Sequence, residues 1–168
     1  MIDTLKFLLI CVFPALTIVA ALRDLTSYTI PNWISLALLT AFPVAAFVVG
    51  LSWQEVLMGY LAGLGFLVLG FTLFVLRWFG GGDAKLLAAS AVWMGFEQAL
   101  PFMAYVCVGG GALALAILTA RKTAGPLAHM GPAWWQKLLE DKGPVPYGLA
   151  ICAGALFLFT QTPVFQSL

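Results

Sequence analysis

Residues 56–76 read VLMGYLAGLGFLVLGFTLFVL, and residues 77–85 continue the chain with RWFGGGDAK. The first stretch has the apolar character and the length, roughly 20 residues, that an α-helix needs to cross a bilayer. The second stretch brings charged residues and then three glycines, which end a helix because they adopt dihedral angles closed to other residues. Together they predict a transmembrane helix, a turn at one membrane surface and a further helix that starts at or just after Asp83.

The composition extends this prediction to the whole chain. Of 168 residues, 62% are hydrophobic and 9% are charged, and the mean hydropathy is +1.02. A soluble domain carries about 25% charged residues, so this chain has too few of them to cover a water-facing surface. The net charge of +1 excludes an electrostatic nucleic-acid-binding protein. We therefore expect one polytopic domain over residues 1–168, with the lipid bilayer around it and no nucleic-acid partner.

About six apolar segments are candidates for transmembrane helices, which predicts an all-α integral membrane protein. They are Leu5–Leu22, Trp33–Val49, Val56–Leu76, Ala84–Phe96, Phe102–Ala120 and Tyr147–Phe159. The fourth segment has only about 13 residues, or roughly 20 Å of helix, against about 30 Å of hydrocarbon. A helix that short crosses the membrane only if it starts inside the bilayer.

The basic residues predict the orientation of these helices. Lys6 lies on one side of the predicted membrane, and all other basic residues follow the first, third or fifth segment. Those others are Arg23, Arg77, Lys85, Arg121, Lys122, Lys137 and Lys142. By the positive-inside rule, the connections that carry them are cytoplasmic. We therefore expect a multi-pass protein of the inner or plasma membrane with both termini outside.

Two aspartates lie at the predicted cytoplasmic ends of the segments. Asp83 follows the glycines, where a helix N-terminus favours a carboxylate, so a simple helix cap is one interpretation. The short fourth segment favours a different interpretation of Asp83. A helix of that length places Asp83 below the membrane surface, and a buried acid there indicates a functional site. Asp24 ends the first segment beside Arg23. Neighbouring helical residues point about 100° apart, so we expect Arg23 to face the headgroups and Asp24 to face the bundle.

The connection after Asp24 is predicted to be non-helical over residues 25–32. Pro31 disfavours helical dihedral angles at Ile30, and Asn32 is a suitable cap for the next helix. The longer connection, Arg121–Pro146, carries Trp134 and Trp135 close to Lys137. Tryptophan beside lysine favours the headgroup layer, so a short interfacial helix at Ala133–Leu139 and a plain cytoplasmic loop both remain open.

Two lone aspartates on one side of a membrane suggest an aspartic protease dyad. Two carboxyl groups that lie close together share one proton, so one acts as a base on water and the other as an acid. We expect no metal and no cofactor, because the predicted helices bring no histidine-rich cluster and no third acid to that side. His129 is expected to be a surface residue of the loop.

Three elements resemble the aspartic prepilin (leader) peptidases, the membrane enzymes of type IV pilus and related systems. In that family the second aspartate lies in a G-x-G-D-x-K pattern, and the first is followed by an I/L-P-N/D element. A P-Y-G-x-A-I element opens the last helix in the short tight-adherence (Flp) branch. The matching residues are Gly80, Gly82, Asp83 and Lys85, then Asp24 with Ile30, Pro31 and Asn32, and finally Pro146, Tyr147, Gly148, Leu149, Ala150 and Ile151.

The resemblance implies a membrane aspartic endopeptidase that uses Asp24 and Asp83 as catalytic residues. Its implied substrate is a prepilin or pseudopilin with a short basic leader before an apolar helix, cut on the cytoplasmic side after a glycine. Components of pilus assembly are the implied partners. The residues implied in the active-site loop or in substrate binding are Gly80, Gly81, Gly82, Lys85, Pro31, Asn32, Pro146, Tyr147 and Gly148.

One departure from the family matters for function. The long bifunctional members carry a cytoplasmic insertion with paired CxxC motifs and methylate the new pilin N-terminus. This chain has no CxxC and only about eight residues between its first two segments. We therefore expect a peptidase without methyltransferase activity.

Some alternatives remain open at this point. A small proton-coupled transporter also uses intramembrane acids, although carrier sites lie near the midplane and these acids lie near one face. A non-catalytic membrane protein of pilus assembly is the other alternative. Lys85 either binds a carboxylate of the leader or anchors to lipid phosphate, while Pro146 and Tyr147 are expected to shape the mouth of the cavity.

Overall fold

The computed structural model describes residues 2–123, 131–141 and 143–167. The described residues form helices and their connections, with no β-strand among them, so the all-α prediction is confirmed. The helices are α1 Ile2–Ser27, α2 Asn32–Val49, α3 Trp53–Val75, α4 Gly81–Thr123, α5 Ala133–Leu139, α6 Gly148–Leu158 and α7 Pro163–Gln166, with a 3₁₀ turn at Phe159–Gln161.

Five helical stretches are long and apolar enough to cross a membrane, which makes this a multi-pass membrane protein. They are Lys6–Ser27, Asn32–Val49, Trp53–Val75, Gly81–Thr123 and Gly148–Gln166. The fourth contains a break at Gly95, whose φ of 71° and ψ of 175° are not helical. The break divides α4 into residues 81–94 and 96–123, which correspond to the fourth and fifth predicted segments. The outward orientation of the termini stays a prediction.

The turn between α3 and α4 does not lie where we expected it. The prediction that α4 starts at or after Asp83 is wrong, because α4 begins at Gly81 and its first turn contains Gly82 and Asp83. The chain reverses earlier, where Arg77 has a left-handed φ of 59°. The glycine at position 82 allows close packing, since a Cβ on Gly82 would lie 3.1 Å from the Ile30 Cβ. The two backbones meet there, and that contact fixes the start of α4.

The connection after Asp24 is also shorter than predicted. Residues 25–27 are helical, and the helical hydrogen bonding continues to the end of α1, where the Tyr28 backbone N–H donates to the Asp24 carbonyl at 2.8 Å. The turn itself is confined to residues 28–31, with Tyr28 at a φ of 54°. The expected cap at Asn32 is wrong, since Pro31 is the N-cap of α2 and makes no side-chain cap.

The first half of α4 is the centre of the bundle. Residues 83–95 are all buried except Lys85, and they pack against α2, α3 and α6. Trp93 donates from Nε1 to the Leu38 carbonyl at 2.9 Å. A Cβ on Gly59 would lie 2.8 Å from the Val92 carbonyl oxygen, so this glycine lets α3 approach α4 closely. These contacts hold the start of α4, and with it Asp83, in a fixed place.

A short helix forms at Ala133–Leu139, so the helical alternative for the Arg121–Pro146 connection is confirmed over the plain loop. Its position at the membrane interface stays a prediction. His129 lies outside the described residues.

Candidate active site

Asp24 lies in the last turn of α1 with its side chain directed into the bundle. It is 5% exposed, whereas Arg23 is exposed, as the helical geometry predicted. The Gly148 backbone N–H donates a hydrogen bond to Asp24 Oδ2 at 2.7 Å. Gly148 is the first residue of α6, where backbone N–H groups have no partner within the helix and attract a carboxylate. The start of α6 therefore holds the Asp24 carboxyl group.

Asp83 lies in the first turn of α4 and is 8% exposed. Its Oδ2 lies beside Gly80, where a Cβ added to that glycine would be 2.6 Å from it. The other side-chain oxygen, Oδ1, is buried and has no hydrogen-bond partner within the described part of the chain. An unpaired buried oxygen is costly, and a water molecule or a substrate group can supply the missing bond.

The two carboxyl groups line the same cavity. A cavity of about 330 Å³ contains both of them, and a cavity of about 270 Å³ adds the turn after α1. Four residues line both cavities: Asp24, Tyr28, Gly80 and Asp83. The space is on the scale of the smaller ligand sites in proteins. The dyad, meaning Asp24 and Asp83 together, therefore faces a volume that can hold water and a short piece of polypeptide.

A strap, defined as residues 131–141 and 143–147, contributes one wall of this site. Pro144, Val145 and Tyr147 line the larger cavity. The Tyr28 hydroxyl donates to the Trp134 carbonyl at 2.9 Å. Burial raises the pKa of the Tyr28 hydroxyl, so it stays protonated and able to donate at neutral pH.

Arg121, near the C-terminal end of α4, holds the strap in place through hydrogen bonds. Its Nε donates to the Leu138 carbonyl at 2.9 Å, and its Nη2 donates to the carbonyls of Gly143 at 2.8 Å and Pro144 at 3.3 Å. One planar guanidinium group thus binds three carbonyl oxygens, one in α5 and two in the segment that follows it. The position of Arg121 fixes the wall of the cavity.

The other predicted site residues are distributed around the dyad. Gly81 and Gly82 line the smaller cavity, and Tyr147 lines the larger one, as expected. Pro146 lines neither cavity, since Pro144 and Val145 take that position. Gly148 has a more direct role than expected, because it binds Asp24.

Lys85 makes a contact that the sequence did not indicate. Its side chain is exposed, on a different face of α4 from Asp83, and Nζ donates to Asn32 Oδ1 at 2.9 Å. Pro31 stands beside this pair as the N-cap of α2. Both predicted roles of Lys85 stay predictions.

Sequence reasoning missed Tyr28 and Arg121 as site residues. Arg121 was interpreted only as a topological charge, and its partners are backbone carbonyls that carry no sequence signal. Tyr28 offered a weak signal, as a polar aromatic residue in the turn directly after Asp24. Within the described residues, no group of three or more His, Cys, Asp or Glu side chains comes together as a metal site would require.

Fold and site together define a helical multi-pass membrane protein with two buried carboxyl groups at one end of its bundle. The model of the type IV leader peptidase family matches residues 11–115, well over half of the chain, and the chain belongs to this family. The match includes both aspartates and the glycines, and membership makes the chain a peptidase. Comparison with curated proteins and with solved structures gives no significant match.

Proposed function

We propose that this protein is an aspartic endopeptidase that removes the leader of a prepilin or pseudopilin on the cytoplasmic side of the membrane. The observation that carries the proposal is the placement of Asp24 and Asp83, both buried and both lining one cavity. The buried Oδ1 of Asp83 has no hydrogen-bond partner within the described residues, so none of their groups competes with water for this oxygen. Family membership supports the peptidase class.

The dyad acts on a water molecule held between the two carboxyl groups. One carboxylate removes a proton from the water, whose oxygen forms a bond to the scissile carbonyl carbon. The other carboxyl group protonates the carbonyl oxygen, and the C–N bond then breaks as the nitrogen takes up a proton. The water is thereby divided between the new carboxyl end and the new amine. The N–H of Gly148 keeps Asp24 oriented throughout.

The cytoplasmic side is supported by the distribution of charge around the site. Arg77 lines the larger cavity, while Arg121 and Lys137 bind residues of its walls, Lys137 lying 4.9 Å from the Tyr28 ring centroid. Positive residues at one end of a membrane protein indicate the cytoplasmic side. The same charges disfavour a basic leader close to the cavity wall, so the leader extends away from the strap.

The Pro146, Tyr147 and Gly148 element resembles that of the short tight-adherence (Flp) branch, and its Gly148 binds one of the proposed catalytic residues. That branch lacks the insertion that carries methyltransferase activity. We therefore propose a peptidase that leaves the new pilin N-terminus unmodified.

Reconstitution with a prepilin tests the proposal. Purified full-length protein in liposomes is mixed with a precursor, and the products are weighed by mass spectrometry. We expect two fragments whose masses sum to the precursor plus one water, an unmethylated new N-terminus and unchanged cleavage in the presence of a chelator. An intact precursor contradicts the peptidase assignment, and methylation by this chain alone contradicts the absence of a methyltransferase.

Arg121→Ala should lower the cleavage rate about tenfold or more. Charge-assisted hydrogen bonds contribute about 1.5–3 kcal/mol each, and their loss frees the strap that forms the cavity wall. The matched control is Lys122→Ala, which removes the same charge from an exposed neighbouring side chain. Initial rates are divided by the amount of inserted protein. Equal rates for the two variants would show that Arg121 contributes only its charge.

A further inference from the structure

α2 and α3 follow each other in the chain, yet a groove separates them over much of their length. Tyr60 on α3 donates to the Leu39 carbonyl at 2.8 Å, and its ring packs edge-on against Phe42 at 5.7 Å. These contacts join the two helices on one side of the groove. Beyond them the helices pack mainly on α4, which forms the floor. The groove therefore opens sideways, toward the lipid.

The groove has apolar walls and a floor of small residues. It encloses about 740 Å³, and its walls include Leu36 at 62% exposure and Leu64 at 56%. Gly63 and Ala88 form part of the floor, where a Cβ on Gly63 would lie 3.1 Å from the Ala88 carbonyl oxygen. The lining residues of α2 span 32–39, roughly 10 Å along the helix. The groove thus has room for about two turns of an apolar helix.

One end of the groove is polar. Lys85 and Asn32 lie there, and Lys85 Nζ uses one of its three N–H groups on Asn32 Oδ1. Ser35 also lines the groove, and it is 5% exposed with an Oγ that has no hydrogen-bond partner within the described residues. Helical hydroxyls usually bond back to the preceding turn, as Thr40 does to the Leu36 carbonyl. The Ser35 hydroxyl is thus a buried polar group beside the groove that no group of the described residues binds.

We propose that this groove binds the apolar helix of the substrate, with the residues next to the scissile bond lying over Lys85, Asn32 and Ser35. The proposal rests on the function proposed above and adds where the substrate lies. Lys85 is two residues from Asp83 on α4, so an extended segment that leaves the groove reaches the dyad within a few residues, at about 3.3 Å per residue. Ile30 and Gly82, whose backbones touch, line the smaller cavity together with the dyad.

The polar end favours a polypeptide over a lipid acyl chain. A peptide bond must be non-helical to be cleaved, which leaves N–H groups of the first helical turn and carbonyls of the extended residues without partners. The Ser35 hydroxyl accepts from such an N–H, and Lys85 donates to such a carbonyl. An acyl chain in the groove offers Ser35 neither a donor nor an acceptor.

Disulfide cross-linking tests the position of the substrate helix. Leu64→Cys lines the groove, and Leu69→Cys is the matched control, since Leu69 is 41% exposed on another face of the same helix and does not line the groove. Both are made after replacing Cys11, Cys107 and Cys152. With a prepilin carrying one cysteine in its apolar helix, we expect cross-linking through Leu64→Cys only. Equal cross-linking at both positions, or at neither, overturns the proposal.

A kinetic variant separates failure of the groove from failure of the proposed function. Leu64→Trp fills the groove and should reduce kcat/KM for full-length prepilin about tenfold more than kcat/KM for a short peptide without the apolar helix. An equal effect on both substrates overturns the groove assignment, while absence of cleavage by the unsubstituted protein contradicts the proposed function itself. Labelling of Leu64→Cys by a photoreactive phosphatidylglycerol that prepilin does not displace assigns the groove to lipid and also overturns the proposal.

Discussion

Asp24→Asn and Asp83→Asn should each abolish prepilin cleavage, with a loss of about 10⁴-fold or more, and the double variant should be little worse than either. An amide cannot take up a proton from water or pass one to the substrate. Because the two groups act on one water, removal of either stops the whole reaction. The measurement is the rate of leader removal for each variant, divided by the amount of protein inserted in the membrane.

The folded protein should persist in both variants. The exchange keeps the size of the side chain, and the amide oxygen of Asp24→Asn still accepts the N–H of Gly148. Asp83 Oδ1 has no partner within the described residues, so Asp83→Asn breaks no known bond at that oxygen. Thermal unfolding in detergent should therefore differ little from that of the unsubstituted protein.

A structural role for Asp83 predicts a different result. Asp83 lies in the first turn of α4, where the free backbone N–H groups of a helix favour a carboxylate. Loss of a cap costs about 1 kcal/mol, and asparagine is itself a good capping residue. Near-normal processing by Asp83→Asn at normal abundance would establish that role and contradict the dyad.

The helical geometry of single segments could be predicted from the sequence. The lengths of the apolar segments predicted about six membrane-spanning helices, and the structure has five long apolar stretches, the fourth of which is broken at Gly95. The angle between neighbouring helical residues placed Arg23 outside and Asp24 inside. The opposed faces of Asp83 and Lys85 follow from the same geometry. These predictions succeeded because each depends only on residues close together in the chain.

Helix boundaries were harder to predict, because tertiary contacts override local preference. Three glycines favour a break, yet Gly81 and Gly82 are helical, since α4 packs so closely on Ile30 that only glycine fits. Residues 25–27 were expected to leave α1, and the backbone hydrogen bonding of α1 instead continues as far as the Tyr28 N–H. At both places the local sequence favours the end of a helix, and the residues are nevertheless helical in the folded protein.

The completed site depends on contacts that no local pattern contains. Asp24 and Gly148 lie 124 residues apart in the chain, and Lys85 and Asn32 lie 53 apart. The resemblance of the P-Y-G element to a family pattern marked Gly148 as a site residue, without indicating its bond to Asp24. The groove between α2 and α3 had no counterpart in the sequence, because it depends on how both helices pack on α4.

Gly148→Ala should reduce cleavage at least about tenfold while the protein stays folded. A Cβ at this position would lie 2.9 Å from Asp24 Oδ2, 3.0 Å from its Cβ and 3.2 Å from its Cγ. The first distance is shorter than real Cβ contacts and the other two are tighter than most, so the Asp24 side chain must shift relative to the N–H that orients it. A displacement of this size at a catalytic group lowers the rate by an order of magnitude or more.

The matched control is Gly111→Ala, because a Cβ there would meet no atom of the described residues within 4 Å. Both exchanges replace a helical glycine by alanine, which favours the helix by up to about 1 kcal/mol, so neither should lower the thermal stability through the backbone. The loss for Gly148→Ala should fall on kcat and leave KM nearly unchanged, since Asp24 acts in the reaction and the apolar groove lies elsewhere. Equal kcat values for the two variants would show that α6 does not position Asp24, and the dyad would then have to be held by α1 and α4 alone.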